Sequence, residues 1–536
     1  MPLAPWLPTP PRPVLPPSRP APVVRTHVTP PPQPPPGWPV APAKKNYRRR
    51  RRKSSGGVVF LVIALCVGGA VRRVVLDGSK DTGKHAKQPA AWDTRVQQYV
   101  AFVERARGLT FTRPVEVDFL TEADYLDLFE PGDARTDPSD RAVAEQYADF
   151  LNAEGLTSGV DEGDTGTRVA QTASLGFYDF DSKRIFVRGD TLTPAVQVVL
   201  VHELTHALQA QHFDIELGGE DDLVLRSIVE GDAMRIEWKY ADTLPGGQRE
   251  QADADNTQDE QTAAELEQIP WALVQQTFAP YDLGPIFLQY LEAHGGPDAI
   301  NTVFDNLPSE EELITPSLYG TGSADQPVDV KAPDGSAVLD TRSWPMFDAL
   351  VMLDAWLPWL QARPPFDGWA GGSIVTYERG GEDGPVCFTA AAAFDSDAHA
   401  AGFATAVTAW GAAAASPVLP ETAGVRVSFE SCDRGDGAAV PPKPSFSTSE
   451  QAILESNLLA AGAEQGAAPA TDTPAPGDTT IATVPLNDTD RRCIVRTMID
   501  DPDLGPLFLK DTFTPEEDDI LLLRSTIARN TCGVFP

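Results

Sequence analysis

Six consecutive cations, residues 48–53, are followed at once by an uncharged run, residues 56–71, whose centre reads Val58-Val-Phe-Leu-Val-Ile-Ala-Leu65. Sixteen helical residues span roughly 24 Å, a little short of the ~30 Å hydrocarbon core of a bilayer. Arg72 and Arg73 can snorkel, and Val74 to Leu76 extend the apolar stretch into the interface. This pattern predicts a transmembrane anchor over residues 54–76. The positive-inside rule keeps residues 1–53 in the cytoplasm and exports everything after Leu76. Gly68 and Ala70 are small enough for signal-peptidase cleavage, but two arginines directly after such a site speak for a retained anchor.

The two sides of that anchor differ in composition. Residues 1–43 hold eighteen prolines and no periodic apolar pattern, so this tail has polyproline II character and no core; no partner for it can be named. The first 76 residues carry thirteen Lys or Arg and no Asp or Glu. Against whole-chain totals of 43 and 77, that leaves 30 basic and 77 acidic residues downstream. An exported body so acidic offers no basic surface to replace phosphate counterions, which excludes sequence-independent nucleic-acid binding. Four of the five cysteines lie in it, and an even number suits an oxidising compartment. The simplest pairing is Cys387 with Cys432 and Cys493 with Cys532, each within its own segment, although three connectivities exist.

Residues 77–91 read as a polar stalk. Helical spacing follows at Val96, Tyr99, Val100 and Val103. An alternating strand comes next, Val115-Glu-Val-Asp-Phe-Leu120, and then a helix start at Thr121. Residues 176–189 form two short alternating runs around Asp181-Ser182-Lys183, a hairpin. Thr193-Pro194 is an N-cap followed by proline in the first turn, and the apolar run Val196-Gln-Val-Val-Leu-Val201 continues that helix into His202-Glu-Leu-Thr-His206. A further helix over about 221–242 carries Glu230. An acidic, Gln-rich loop is expected over 246–261, more helices to about 313, and a loop over 320–335. Residues 336–445 predict an α/β accessory module with strands at Ile374-Val-Thr-Tyr377 and Val386-Cys-Phe-Thr389 and an Ala-rich helix. A linker region (446–485, with an Ala/Pro/Thr/Gly stretch at 461–480) and a small disulfide-linked helical module (486–536) close the chain.

Residues four apart on a helix are rotated by about 40°, so His202 and His206 project from one face. That spacing suits two corners of a tetrahedral zinc site. Glu203 stands beside them, placed to take a proton from an attacking water. Two residues compete to be the third ligand. His212 lies where a metzincin has its third histidine, but that family turns the chain with a glycine three residues after the second histidine. Here that residue is Gln209, a good helix former, which leaves His212 about 240° around the axis from His206. Glu230, in Ile228-Val-Glu-Gly-Asp-Ala233, stands on the next helix, where an antiparallel return brings it over the histidines. Asp232 faces elsewhere unless that helix bends.

His202-Glu-Leu-Thr-His-Ala-Leu-Gln209 together with Val229-Glu-Gly-Asp-Ala233 resembles the gluzincins, in particular bacterial membrane-anchored neutral zinc metallopeptidases; the close match covers about 176–234. The resemblance implies Zn2+ held by His202, His206 and Glu230, with Glu203 as general base and a peptide or protein as substrate. It also implies an α+β, zincin-like catalytic domain, mostly helical with a small sheet, over 92–319. A group stabilising the oxyanion is required; Tyr281, Tyr178 and His294 are the candidates. Rival expectations are a zinc-dependent amidase of the cell envelope and a non-catalytic scaffold keeping the fold. The intact His202, Glu203, His206 set speaks against the scaffold.

Overall fold

Thr193 accepts a hydrogen bond from the Val196 amide and Pro194 occupies the first turn, so the central helix begins where its sequence signals place it. The computed structural model describes residues 89–128, 149–158, 175–215, 217, 222–256, 270–321, 325–381, 384–435, 437–442, 447–467, 488–501, 504, 524, 527–529 and 531–532. The expected cytoplasmic tail, membrane anchor and most of the stalk lie outside these residues, and among the described residues no helix is long and apolar enough to cross a membrane. The described residues all belong to one compact unit and form an α+β fold.

Its first part comprises α1 (Gln97–Arg107), β1 (Glu116–Leu120), α2 (Glu122–Asp127), β2 (Gly176–Asp179), β3 (Arg184–Arg188), α3 (Pro194–His212), α4 (Asp222–Ala241), α5 (Gly246–Asn256), α6 (Trp271–Gly295), α7 (Pro297–Val303) and α8 (Glu310–Ile314). β2 and β3 make the antiparallel hairpin expected around 181–183, and β1 adds to β3 in parallel. The order β1-β3-β2 leaves β2 at an edge. α3 packs against α1, α4, α5, β2 and β3. Accordingly every side chain from Leu200 to Gln209 is buried, including five polar ones. Polar side chains enclosed in this way must find partners.

The stretch expected as a loop from residue 246 is instead helical to Asn256. The Pro245 carbonyl accepts from Gln248 N and Arg249 N to start it, and Gln, Arg, Glu and Ala are all good helix formers. Its Ala252 is buried as the helix covers α3.

The second part comprises β4 (Ala337–Ser343), α9 (Met346–Asp354), α10 (Trp359–Ala362), β5 (Trp369–Glu378), β6 (Val386–Phe394), α11 (Asp397–Ala413), β7 (Glu421–Ala423), β8 (Arg426–Cys432), α12 (Thr448–Ala467) and α13 (Asp488–Ile499). Its five-stranded antiparallel sheet runs β4-β5-β6-β8-β7. Cys387 and Cys432 face each other in register across β6 and β8 and are bonded, as are Cys493 and Cys532. The first residues of the expected linker stretch, 461–467, complete α12, where alanine favours the helix; residues 468–487 are not described. One apolar cluster joins Phe287 and Leu291 of α6 to Phe347 and Leu350 of α9, Phe388 of β6, Trp410 of α11 and Ile499 of α13. The α/β segment therefore shares its core with the helices that follow Glu230.

Candidate metal centre

α3 and α4 supply the donor atoms. Glu230 Oε2 stands 3.2 Å from His202 Nε2 and 3.3 Å from His206 Nε2, and the ligand atoms of the three residues lie within 4.8 Å of one another. Donors about 2.0–2.1 Å from a tetrahedral zinc stand roughly 3.3 Å apart, so these spacings match two edges of such a site.

The far nitrogen of each imidazole is tied down. Glu237 Oε2 accepts from His202 Nδ1 at 2.8 Å. A carboxylate only accepts, so a proton sits on Nδ1, and Nε2 is the ring nitrogen turned to the centre, where it faces Glu230 Oε2. Glu237 was not among the candidates read from the sequence, though the signal is present: seven residues are two helical turns, which puts Glu237 on the face of Glu230. His206 Nδ1 meets Gln209 Oε1 at 3.0 Å. The Gln209 amide nitrogen donates to Val229 O and to Asp232 Oδ2, both at 3.0 Å, so its oxygen must be the atom turned to His206. Asp232 thus reaches the site through Gln209 and without a bend in α4. Its carboxylate is completely buried between Arg107 Nε (2.7 Å) and Arg235 Nη2 (2.9 Å), and the two guanidiniums outweigh burial and hold it below the usual carboxylate range.

Burial alone would lower the basicity of both imidazoles, but the facing carboxylates outweigh it. Glu230 and Glu237 keep His202 well above its ordinary pKa, and Glu230 raises that of His206. Burial likewise would raise Glu230, and the two histidines push it well below the carboxylate range. The carboxylates thus bring to this centre the negative charge that a divalent cation would balance. The donor set therefore fits zinc: two neutral imidazole nitrogens, one carboxylate oxygen, and partners that fix both rings.

Glu203 lies beside this cluster and is not part of it. Its Oε2 accepts from the Tyr178 amide of edge strand β2 at 2.7 Å. Burial raises its pKa, partly offset by the two imidazoles. Of the three candidates for an oxyanion donor, only Tyr281 of α6 reaches the site. Its phenol hydrogen-bonds Glu230, and burial, followed by the negative charge of Glu230, keeps it protonated far above its ordinary range. The Tyr178 side chain is buried in the core beneath α3, and His294 Nδ1 donates to the Tyr290 carbonyl at 2.8 Å near the end of α6. His212 sits at the end of α3 with Nε2 2.8 Å from Thr110 O, directed away from the cluster. Phe180 flanks the centre with its ring 5.8 Å from that of His206.

In comparisons with known proteins, no family model, no curated protein and no solved structure matches the chain.

Proposed function

We propose that this chain is a zinc metallopeptidase of the gluzincin kind, with a zincin-like catalytic domain exported on one N-terminal membrane anchor, that hydrolyses peptide bonds. The observation that carries this reading is the convergence of His202, His206 and Glu230 with a separately held carboxylate, Glu203, beside them. Among the described residues the acidic body shows no competing cluster of metal-ligating side chains.

When bound, zinc supplies Lewis acidity that polarises the scissile carbonyl and brings an attacking water's pKa to about 7. The protein's own groups do the rest. Glu203, oriented by the Tyr178 amide, takes the proton of the attacking water. Its raised pKa lets it hold that proton and pass it to the leaving amine. The Tyr281 phenol, kept protonated, donates to the carbonyl oxygen as negative charge develops there. Glu237 and Gln209 keep the imidazoles in the ligating tautomer throughout. Edge strand β2, adjoining α3, is where an extended substrate would add.

The test uses the full chain in detergent, measuring bound zinc and hydrolysis of a varied peptide set. The parent should hold about one zinc, and Glu203→Gln should keep the metal while turnover falls about 10³-fold or more. A parent without zinc removes the site, and zinc without hydrolysis removes the peptidase reading.

A further inference from the structure

Tyr281 stands in α6 between two prolines, Pro280 and Pro285. Pro280 has no N–H for the carbonyl of Gln276, and Pro285 has none for the carbonyl of Tyr281 itself. This part of the helix therefore lacks two of its own backbone bonds around the residue that has to be placed most accurately. Outside contacts hold it on two sides. α4 meets it backbone to backbone: a Cβ on Gly231 would land on the main chain of Gly284, and one on Gly284 would land on the carbonyl oxygen of Ser227.

The other contact comes from far along the chain. The first turn of α12 is built on Thr448 and Ser449, both completely buried. Ser449 Oγ donates to Asp282 Oδ2 at 2.6 Å, across 167 residues of sequence, and the Thr448 amide donates to Gln275 Oε1. Thr448 Oγ1 and Gln451 Nε2 both donate to Asp354 Oδ2 of α9 at 2.8 Å, which anchors this turn to the common core. Asp282 is the residue next to Tyr281.

We propose that Ser449, through Asp282, is a positioning residue for the Tyr281 phenol. By this inference the first turn of α12 belongs to the catalytic unit and is not an accessory attached to it. The inference rests on the role given above to Tyr281. Displacement by about 1 Å at a reacting group is enough to cost on the order of 10²-fold in rate. Loss of the Ser449 hydroxyl leaves the Asp282 carboxylate without this donor and leaves α12 holding α6 through the Thr448–Gln275 bond, which lies more than a turn before Tyr281. The effect should fall on the chemical step, because Ser449 touches neither the metal ligands nor the substrate edge.

The experiment compares the parent, Ser449→Ala, Ser449→Thr, Tyr281→Phe and the Ser449→Ala/Tyr281→Phe double variant, all as full-length protein with zinc content and thermal unfolding recorded. Ser449→Ala should keep its zinc and its KM and lose about tenfold in kcat, and Ser449→Thr, which keeps the hydroxyl, should restore it. In the Tyr281→Phe background Ser449→Ala should have no further effect. Amide hydrogen exchange over residues 281–287 of the zinc-loaded protein should rise in Ser449→Ala, a readout that needs no substrate. Unchanged exchange, a parental kcat, or a tenfold loss that persists beside Tyr281→Phe each overturns the proposal. If Ser449→Ala folds poorly, Asp282→Ala breaks the same bond from the other side and carries the same expectations. Failure of the peptidase reading is distinct: there Glu203→Gln and the parent do not differ, while the exchange measurement still decides whether Ser449 holds Tyr281.

Discussion

Gln209 Oε1 accepts from Nδ1 of His206 at 3.0 Å, while the amide nitrogen of the same side chain is held by Val229 O and Asp232 Oδ2. The orientation of one amide thus sets which nitrogen of His206 faces the proposed metal position. Gln209→Glu replaces the NH2 group by an oxygen turned toward a carbonyl and a carboxylate, two acceptors with nothing to accept. We expect zinc affinity to fall about 10–100-fold in chelator competition, with the fold retained. An unchanged dissociation constant would show that His206 is oriented by something else.

Glu230 and His212 separate two ligand sets. Glu230→Ala removes the oxygen that stands 3.2 and 3.3 Å from the two imidazoles and should abolish stoichiometric zinc. His212→Ala removes only a bond to the Thr110 carbonyl at the end of α3 and should leave zinc content as in the parent. Glu237→Ala should fall between them, weakening the metal about 10–100-fold through the freed His202 ring. The reverse order, measured by metal analysis after dialysis, would revive the metzincin-like arrangement.

What the sequence reveals about this site is mostly what lies within one or two elements. Thr193 and Pro194 start α3 through local hydrogen bonding and a fixed φ, and the four-residue spacing of His202 and His206 is a property of any helix. The hairpin over 176–189 follows from alternation around a short polar turn. Tyr281, by contrast, differs from Tyr178 and His294 only in what its helix packs against, and no periodicity encodes that. Arg107 reaches Asp232 across 125 residues and Ser449 reaches Asp282 across 167, so these partners become visible only once the chain is folded. The helix α5 was missed for a different reason. Its Gln, Glu and Asp content reads as solvent-facing loop, yet its helix propensity and the apolar Ala252 contact are sufficient to form it.

Gly231 sets the distance between α4 and α6. A methyl group there would overlap the backbone of Gly284, which cannot rotate away as a side chain can. Gly231→Ala should lower stability by about 1–3 kcal/mol through overpacking. Because Glu230 and Tyr281 lie on the two helices being forced apart, kcat should fall as well. Gly247→Ala is the comparison: its Cβ would meet nothing within 4 Å, and alanine is the better helix former. Equal unfolding midpoints for the two variants would show that the α4–α6 contact carries no strain.

Asp354 gives the structure a pH dependence that can be isolated. Burial raises its pKa from the ordinary 3.8 to about 7, even though Thr448 and Gln451 both donate to it. The folded state therefore binds this proton more tightly than the unfolded chain does. Between about pH 4 and pH 7 the unfolded state has released the proton and the folded state retains it. Stability from this group is complete below about pH 4 and is lost as pH rises toward 7, each unit being worth about 1.4 kcal/mol at most. Asp354→Asn keeps an oxygen to accept both bonds and removes the charge. Its melting temperature should match the parent at about pH 4, exceed it increasingly up to about pH 7, and stay above it by a steady margin from there to about pH 8. A constant difference across that range, in thermal scans at matched ionic strength, would mean that the Asp354 carboxyl does not titrate where its burial places it.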